Sequence, residues 1–161
     1  MSLAVYPGSF DPVTNGHLSI IKSGLVVFDR LIIAVLNNAK KQCLFSTEER
    51  MEMIREALRE HGDRVEVDCF DGLLVDYAQQ HNTRVVLRGL RAVADFDYEL
   101  HMANINRQLD ERVETVFIMA KDAYFYLSSQ SIKEVAALGG DISKFVPKLV
   151  EKKLKQTLTS G

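Results

Sequence analysis

Leu3-Ala4-Val5-Tyr6-Pro7-Gly8-Ser9-Phe10-Asp11-Pro12 runs from a short apolar strand, Leu3 to Tyr6, into a turn-rich stretch holding two of the chain's three prolines. Leu18, Ile21, Leu25 and Phe28 then recur at helical spacing. Leu31-Ile32-Ile33-Ala34-Val35-Leu36 is apolar at every position, as a parallel strand buried on both faces would be. Strand, helix and strand in that order predict a parallel pair joined by a crossover helix.

The rest of the chain repeats the alternation. Ser46-Thr47-Glu48-Glu49 is a capping box, opening a helix whose inner face is Met51, Ile54 and Leu58 and which stops near His61-Gly62. Val65 to Phe70, Val85 to Leu87 and Thr115 to Met119 read as strands, the second ending at Arg88-Gly89. Leu73 to Gln80 and Asp95 to Leu109 read as helices. Ser128 or Ser129 caps a helix carrying Ile132, Val135 and Leu138, stopped by Gly139-Gly140. Pro147 suits the first turn of a terminal helix through Leu149, Val150 and Leu154, and the last residues, Thr159 to Gly161, read as a frayed tail. The expected fold is α/β: one Rossmann-like domain with a five-stranded parallel sheet, helices on both faces and a C-terminal helical segment. About residues 1–140 would form the core and about 141–161 the helix and tail.

With 161 residues, the chain has room for one compact domain. Lys and Arg number 20 against 22 Asp and Glu, a formal net charge of -2, which argues against general nucleic-acid or anionic-membrane binding. No apolar run approaches the roughly 20 residues that span a bilayer, and no signal peptide is visible, so a cytoplasmic place is expected. Cys43 and Cys69 form no C-x-x-C pair and fit a reducing compartment. With His61 and His81 they lack the spacing of a zinc site.

In parallel sheets ligands bind beyond the carboxyl ends of the strands. After the first strand come Ser9 to His17, after the second Lys40-Lys41, after the fourth Arg88-Gly89-Leu90-Arg91, and after the fifth Lys121 and Ser128-Ser129. These loops offer cations, hydroxyls and backbone donors, so the pocket they build should take a polyanion, phosphate above all. His17 stands where a helix start favours an anion, or is a plain helix-start residue after an Asn15-Gly16 turn. Arg88 and Arg91 either grip phosphate through forked hydrogen bonds or pair with Asp95, Asp97 or Glu99. Ser128-Ser129 is a helix cap, a phosphate contact, or both. His61, His81 and His101 read as structural or solvated. There is no G-x-x-x-x-G-K-[ST], no G-x-G-x-x-G and no G-x-S-x-G, against a P-loop kinase, a common dinucleotide binder and a serine hydrolase.

Thr14-Asn15-Gly16-His17, after Ser9-Phe10-Asp11-Pro12, resembles the T-x-G-H signature of the nucleotidyltransferase superfamily. Within it, the Tyr6 to Pro12 stretch, Arg88-Gly89-Leu90-Arg91-Ala92-Val93-Ala94-Asp95-Phe96 and Ser128-Ser129 look like the bacterial phosphopantetheine adenylyltransferases, in the expected order over nearly the whole chain. The resemblance implies transfer of the adenylyl group of ATP to 4′-phosphopantetheine with Mg²⁺, giving dephospho-coenzyme A and pyrophosphate. It also implies a homohexamer and feedback inhibition by coenzyme A. By position, His17, Lys41 and Arg91 would be catalytic, and Ser9, Lys41, Leu74 and Arg88 would hold 4′-phosphopantetheine. Ser9, Phe10, His17, Gly89, Leu90, Arg91, Glu99, Tyr124, Phe125, Tyr126, Leu127, Ser128, Ser129 and Gln130 would line the ATP site. The resemblance identifies no metal ligands. The chain departs from the family at Ser9, where Thr is commoner, at Gln42-Cys43, where Lys-Pro is common, and at Gln130, where Ser or Thr is usual. Lys40 is thereby a possible substitute for Lys41.

In that reaction the nucleophile is already an anionic phosphate oxygen and the leaving group is pyrophosphate. The site must align two mutually repelling anions and neutralise charge on the α-phosphate, which Lys, Arg, His and N–H groups do. The rival readings are another small-molecule nucleotidyltransferase, such as a cytidylyltransferase or a nicotinamide mononucleotide adenylyltransferase, and a non-catalytic nucleotide-binding module. A class I aminoacyl-tRNA synthetase shares the histidine signature, but the chain leaves no room for a tRNA-reading domain.

Overall fold

In a computed structural model of the chain, residues 1–159 are described; Ser160 and Gly161, expected as part of a frayed tail, lie outside them. The strands are β1 (Leu3–Gly8), β2 (Arg30–Leu36), β3 (Val65–Phe70), β4 (Val85–Leu90) and β5 (Glu114–Met119). The helices are α1 (Asn15–Val27), α2 (Thr47–Ala57), α3 (Leu74–Gln80), α4 (Val93–Leu109), α5 (Ser129–Ala137) and α6 (Lys148–Thr159). All strand pairs are parallel and the order is β3-β2-β1-β4-β5. The five-stranded parallel α/β sheet expected from the sequence is thus present.

Side-chain alternation along each strand divides the core in two. Ala4, Tyr6, Leu31, Ile33, Val35 and Leu87 face Ile21 and Leu25 of α1, Met51 and Ile54 of α2, Ile132 of α5, and Val150 and Leu154 of α6. Val5, Ile32 and Ala34 face the other way, with Phe70 and Tyr77. Coverage there is thinner, because Glu99 is the only buried residue of α4.

Several boundaries differ from the sequence reading. Pro7 and Gly8 continue β1, in register with Ala34 and Val35. β4 does not end before Arg88: Arg88, Gly89 and Leu90 pair with Phe117, Ile118 and Met119. A polar residue followed by glycine looks like a strand end, but the β5 ladder carries the backbone on. α4 begins at Val93 rather than Asp95, since the Asp95 carboxylate reaches back to accept from the Arg91 N–H. Asn15 and Gly16 lie in α1, not in a turn, because Thr14 is the N-cap. Pro147 precedes α6 and supplies a carbonyl to the Glu151 N–H. The Ser46–Glu49 box forms as expected.

Strand order places the site. From β1 the chain winds outward through β2 and β3, then returns to the other side of β1 for β4 and β5. A crevice opens where the winding reverses, between the carboxyl ends of β1 and β4. Helix α1 lies hard against that point: a Cβ on Gly89 would stand 2.8 Å from Cγ1 of Ile20, so only glycine allows the approach.

Candidate active site

A cavity of about 400 Å³ occupies the crevice. A second, of about 470 Å³, adjoins it, and both are walled by Pro7, Gly8, Ser9, Lys41, Arg88 and Glu99. Both fall within the usual size of small-ligand sites, about 300–1,000 Å³.

The loop after β1 is pinned from several directions. The Lys41 Nζ donates to Ser9 Oγ at 2.9 Å. Asp11, buried, accepts from the N–H groups of Leu44 (2.9 Å) and Phe45 (3.0 Å) and from Lys133 Nζ (3.0 Å). Burial pushes the Asp11 carboxyl up, but these donors outweigh it and hold the group below the usual carboxylate range. Phe10 has φ 47°, the left-handed region that a bulky residue enters only under constraint. Its buried ring packs against Tyr6 (5.4 Å between centroids) and His17 (4.9 Å).

His17 closes a capping box of its own. Its N–H donates to Thr14 Oγ1 at 3.3 Å, while its Nδ1 accepts from the Thr14 N–H at 3.0 Å. With Nδ1 occupied as an acceptor, the neutral ring carries its proton on Nε2. Desolvation, helped by the charges of Arg91 and Arg88, pulls the imidazole down to about 3. His17 is therefore a neutral N–H donor at physiological pH.

The arginines form the ion pairs that the sequence reading offered as one alternative. Arg88 is forked onto Glu99, at 2.8 Å and 2.6 Å, and also donates to the Pro7 carbonyl at 2.6 Å. Arg91 pairs with Asp95 at 3.4 Å and donates to the Leu127 carbonyl at 2.9 Å. Asp97 takes neither. Both arginines nonetheless wall the first cavity. Ser128 caps α5 by accepting from the Ser131 N–H, and Ser129 Oγ donates to the Pro12 carbonyl at 2.7 Å.

Of the residues singled out in the sequence, Ser9, Phe10, His17, Lys41, Arg88, Gly89, Arg91, Glu99, Leu127, Ser129 and Gln130 wall the first cavity, and Leu74 the second. Leu90, Tyr124, Phe125, Tyr126 and Ser128 line neither. Lys40 and Lys121 also stand outside both. Sequence reasoning gave Asp11 no role beyond its place in the Ser9 to Pro12 motif and missed Lys133, and it missed Tyr98, Met102 and Asn106, which wall the second cavity. Those three stand four residues apart on one face of α4, the only signal that would have found them.

The Mg²⁺ expectation meets a donor set that is already committed. The carboxylates in the cavity wall, Asp11, Asp95 and Glu99, pair with Lys133, Arg91 and Arg88. Among the described residues no group of three or more His, Cys, Asp or Glu is arranged to hold a metal. The residues present do not make a protein cage for the ion. No described helix is long and apolar enough to cross a membrane.

Residues 5–135 match the family model described as cytidylyltransferase-like. The chain is 52% identical to the phosphopantetheine adenylyltransferase of Desulfosudis oleivorans, over 98% of this chain and 94% of that protein. It is 54% identical to the protein of that name from Syntrophotalea carbinolica, over 95% and 92%. The solved "putative nicotinate-nucleotide adenylyltransferase" of Vibrio parahaemolyticus has the same fold, with a TM-score of 0.66 and 17% identity over 96% of this chain and 99% of that one. Family match and near-full-length identity agree: this chain belongs to the cytidylyltransferase-like family and, within it, to the phosphopantetheine adenylyltransferases.

Proposed function

We infer that the protein transfers the adenylyl group of ATP to 4′-phosphopantetheine, giving dephospho-coenzyme A and pyrophosphate. The observation that carries the reading is the pair of cavities meeting at Ser9, Lys41 and Arg88. Two anionic substrates entering from opposite sides would bring their phosphates together there. The second cavity has apolar walls from Leu36, Phe70, Leu74 and Met102 and amides from Asn38 and Asn106, which suits an uncharged arm containing amide groups.

In the reaction a phosphate oxygen of 4′-phosphopantetheine attacks the α-phosphorus of ATP. That P–O bond forms as the bond to the bridging oxygen of the β-phosphate breaks, and the electron pair leaves on pyrophosphate. No proton has to move. Lys41 and Arg88, with Ser9, orient the attacking phosphate, and Leu74 packs on the arm. His17 donates its Nε2–H to the α-phosphate as charge builds, and Arg91 neutralises the leaving side. The nucleotide would lie against Phe10, Gly89, Glu99, Leu127, Ser129 and Gln130 in the first cavity, with Leu90, Tyr124, Phe125, Tyr126 and Ser128 outside its wall. Mg²⁺ enters this reading as part of the substrate, carried on the triphosphate.

Coenzyme A contains the same phosphopantetheine arm, so it would compete for the second cavity as an inhibitor. The exposed apolar residues of α4 and β5, Val93, Tyr98, Leu109 and Met119 among them, support packing against further copies, in keeping with a homohexamer. A cytoplasmic place fits a nucleotide-using enzyme with two free cysteines.

A substrate panel tests the reading. ATP or CTP is mixed with 4′-phosphopantetheine, nicotinamide mononucleotide or phosphocholine, and pyrophosphate is followed. Turnover only with ATP and 4′-phosphopantetheine is expected. Preference for CTP or for nicotinamide mononucleotide would overturn it.

A further inference from the structure

Arg50 lies on α2, outside the walls of both cavities, and is 3% exposed. Its guanidinium donates to the carbonyls of Ser9 (2.7 Å), Leu36 (3.2 Å) and Ser46 (3.4 Å) and to Thr47 Oγ1 (3.0 Å). Among the described residues no carboxylate pairs with it. A buried cation with no counter-ion carries a desolvation cost that a merely structural filler would avoid.

The shortest of its bonds has a definite consequence. The Ser9 carbonyl belongs to the peptide that precedes Phe10, and the orientation of that peptide sets the φ of Phe10. Arg50 therefore holds the plane that keeps Phe10 at φ 47°. Phe10 in turn carries its ring against His17, and Ser9 carries the hydroxyl that takes the Lys41 ammonium. One planar fork thus ties the end of β2 and the start of α2 to the loop that carries Ser9 and Phe10, and through it to Lys41 and His17. Lysine, a point donor without the fork, does not span the same set of carbonyls.

We propose that Arg50 is a positioning residue of the transfer reaction, acting through the Ser9 carbonyl on His17 and Lys41 without touching substrate. The proposal rests on the adenylyl-transfer reading, and wild-type turnover of ATP with 4′-phosphopantetheine measures that reading separately.

The test uses the full chain and three variants. Arg50→Lys keeps the charge and removes the fork. Thr47→Val leaves Arg50 in place and removes one of its anchors. Asn37→Ala controls for the other bond of that hydroxyl, which runs to Asn37 Oδ1 at 3.1 Å. Arg50→Lys should lower kcat by about 10- to 100-fold while KM for ATP stays within about threefold and KM for 4′-phosphopantetheine, held by Ser9 and Lys41, rises by less than kcat falls. Thr47→Val should lower kcat by about threefold, and Asn37→Ala should not. The amide resonances of Ser9 and Phe10 in the free protein should shift in both Arg50→Lys and Thr47→Val, a readout independent of turnover. If Arg50→Lys fails to fold, Thr47→Val with its resonances decides. Unchanged kcat and unchanged Ser9 and Phe10 amides in the folded variants would overturn the proposal. So would a loss of activity that only tracks the loss of folded protein.

Discussion

The Thr14 N–H donates to Nδ1 of His17 at 3.0 Å, and this one bond decides what the ring presents to the cavity. With Nδ1 accepting, Nε2 is the protonated nitrogen, and the ring acts as a neutral donor. Burial and the Arg91 and Arg88 charges hold it down to about 3, from an ordinary value of 6.5. The folded chain therefore favours the neutral ring, whereas the unfolded chain protonates near 6.5. The stabilising contribution is complete above that pH and is lost as pH falls toward 3. Imidazole ¹⁵N NMR should find His17 neutral, with its proton on Nε2, at pH 5. A midpoint near 6.5 would contradict this.

Arg88 and Glu99 form a forked pair in the wall shared by the two cavities. Glu99→Ala leaves a largely buried guanidinium without its partner and should cost about 3 kcal/mol in urea denaturation. It should also raise KM for 4′-phosphopantetheine, because Arg88 loses its orientation. Arg88→Ala should mainly weaken 4′-phosphopantetheine binding. A selective loss of ATP affinity in calorimetry would mean that the two substrate sites are exchanged.

Asp11 ties the loop after β1 to Leu44, Phe45 and α5. Asp11→Asn replaces charge-assisted bonds with neutral ones and strands the Lys133 ammonium, costing about 2 kcal/mol. The wild-type carboxyl is held below 3.8, so its contribution is present above that pH and lost in stronger acid. The variant's stability should accordingly fall less steeply with acid. Equal slopes in pH-dependent unfolding would contradict the assignment.

Gly89→Ala sets a Cβ 2.8 Å from Ile20 Cγ1. Overpacking of this kind costs about 1–3 kcal/mol and should push α1, with His17 at its first turn, away from β4. A lowered Tm together with a lowered kcat is expected in calorimetry and kinetics. An unchanged Tm would mean that α1 does not rest on Gly89.

Much of the fold is legible because its signals are local. The continuous apolar run Leu31 to Leu36 and the Ser46–Glu49 box depend only on near neighbours in sequence. The site is legible in part for the same reason: His17, Lys41 and Arg91 follow strand ends. Arg88 was readable as a phosphate grip or an ion pair, but choosing Glu99 over Asp95 or Asp97 needs the placement of α4 over β4. Arg50 and Lys133 look like polar positions on amphipathic helices, since nothing beside them in sequence reveals the carbonyls and the carboxylate they meet. Tyr98, Met102 and Asn106 share a helical face, but only the sheet's reversal at β1 shows that a cavity lies under it.

The most direct test is pyrophosphate release from ATP, Mg²⁺ and 4′-phosphopantetheine, run beside the His17→Ala variant. Release that requires all three, with kcat cut about 100-fold in the variant, on the order of 3 kcal/mol, and ATP binding still measurable, is the expected result. Equal turnover by the variant, or no release from the native chain, would contradict a donor-lined site that joins two anions without moving a proton.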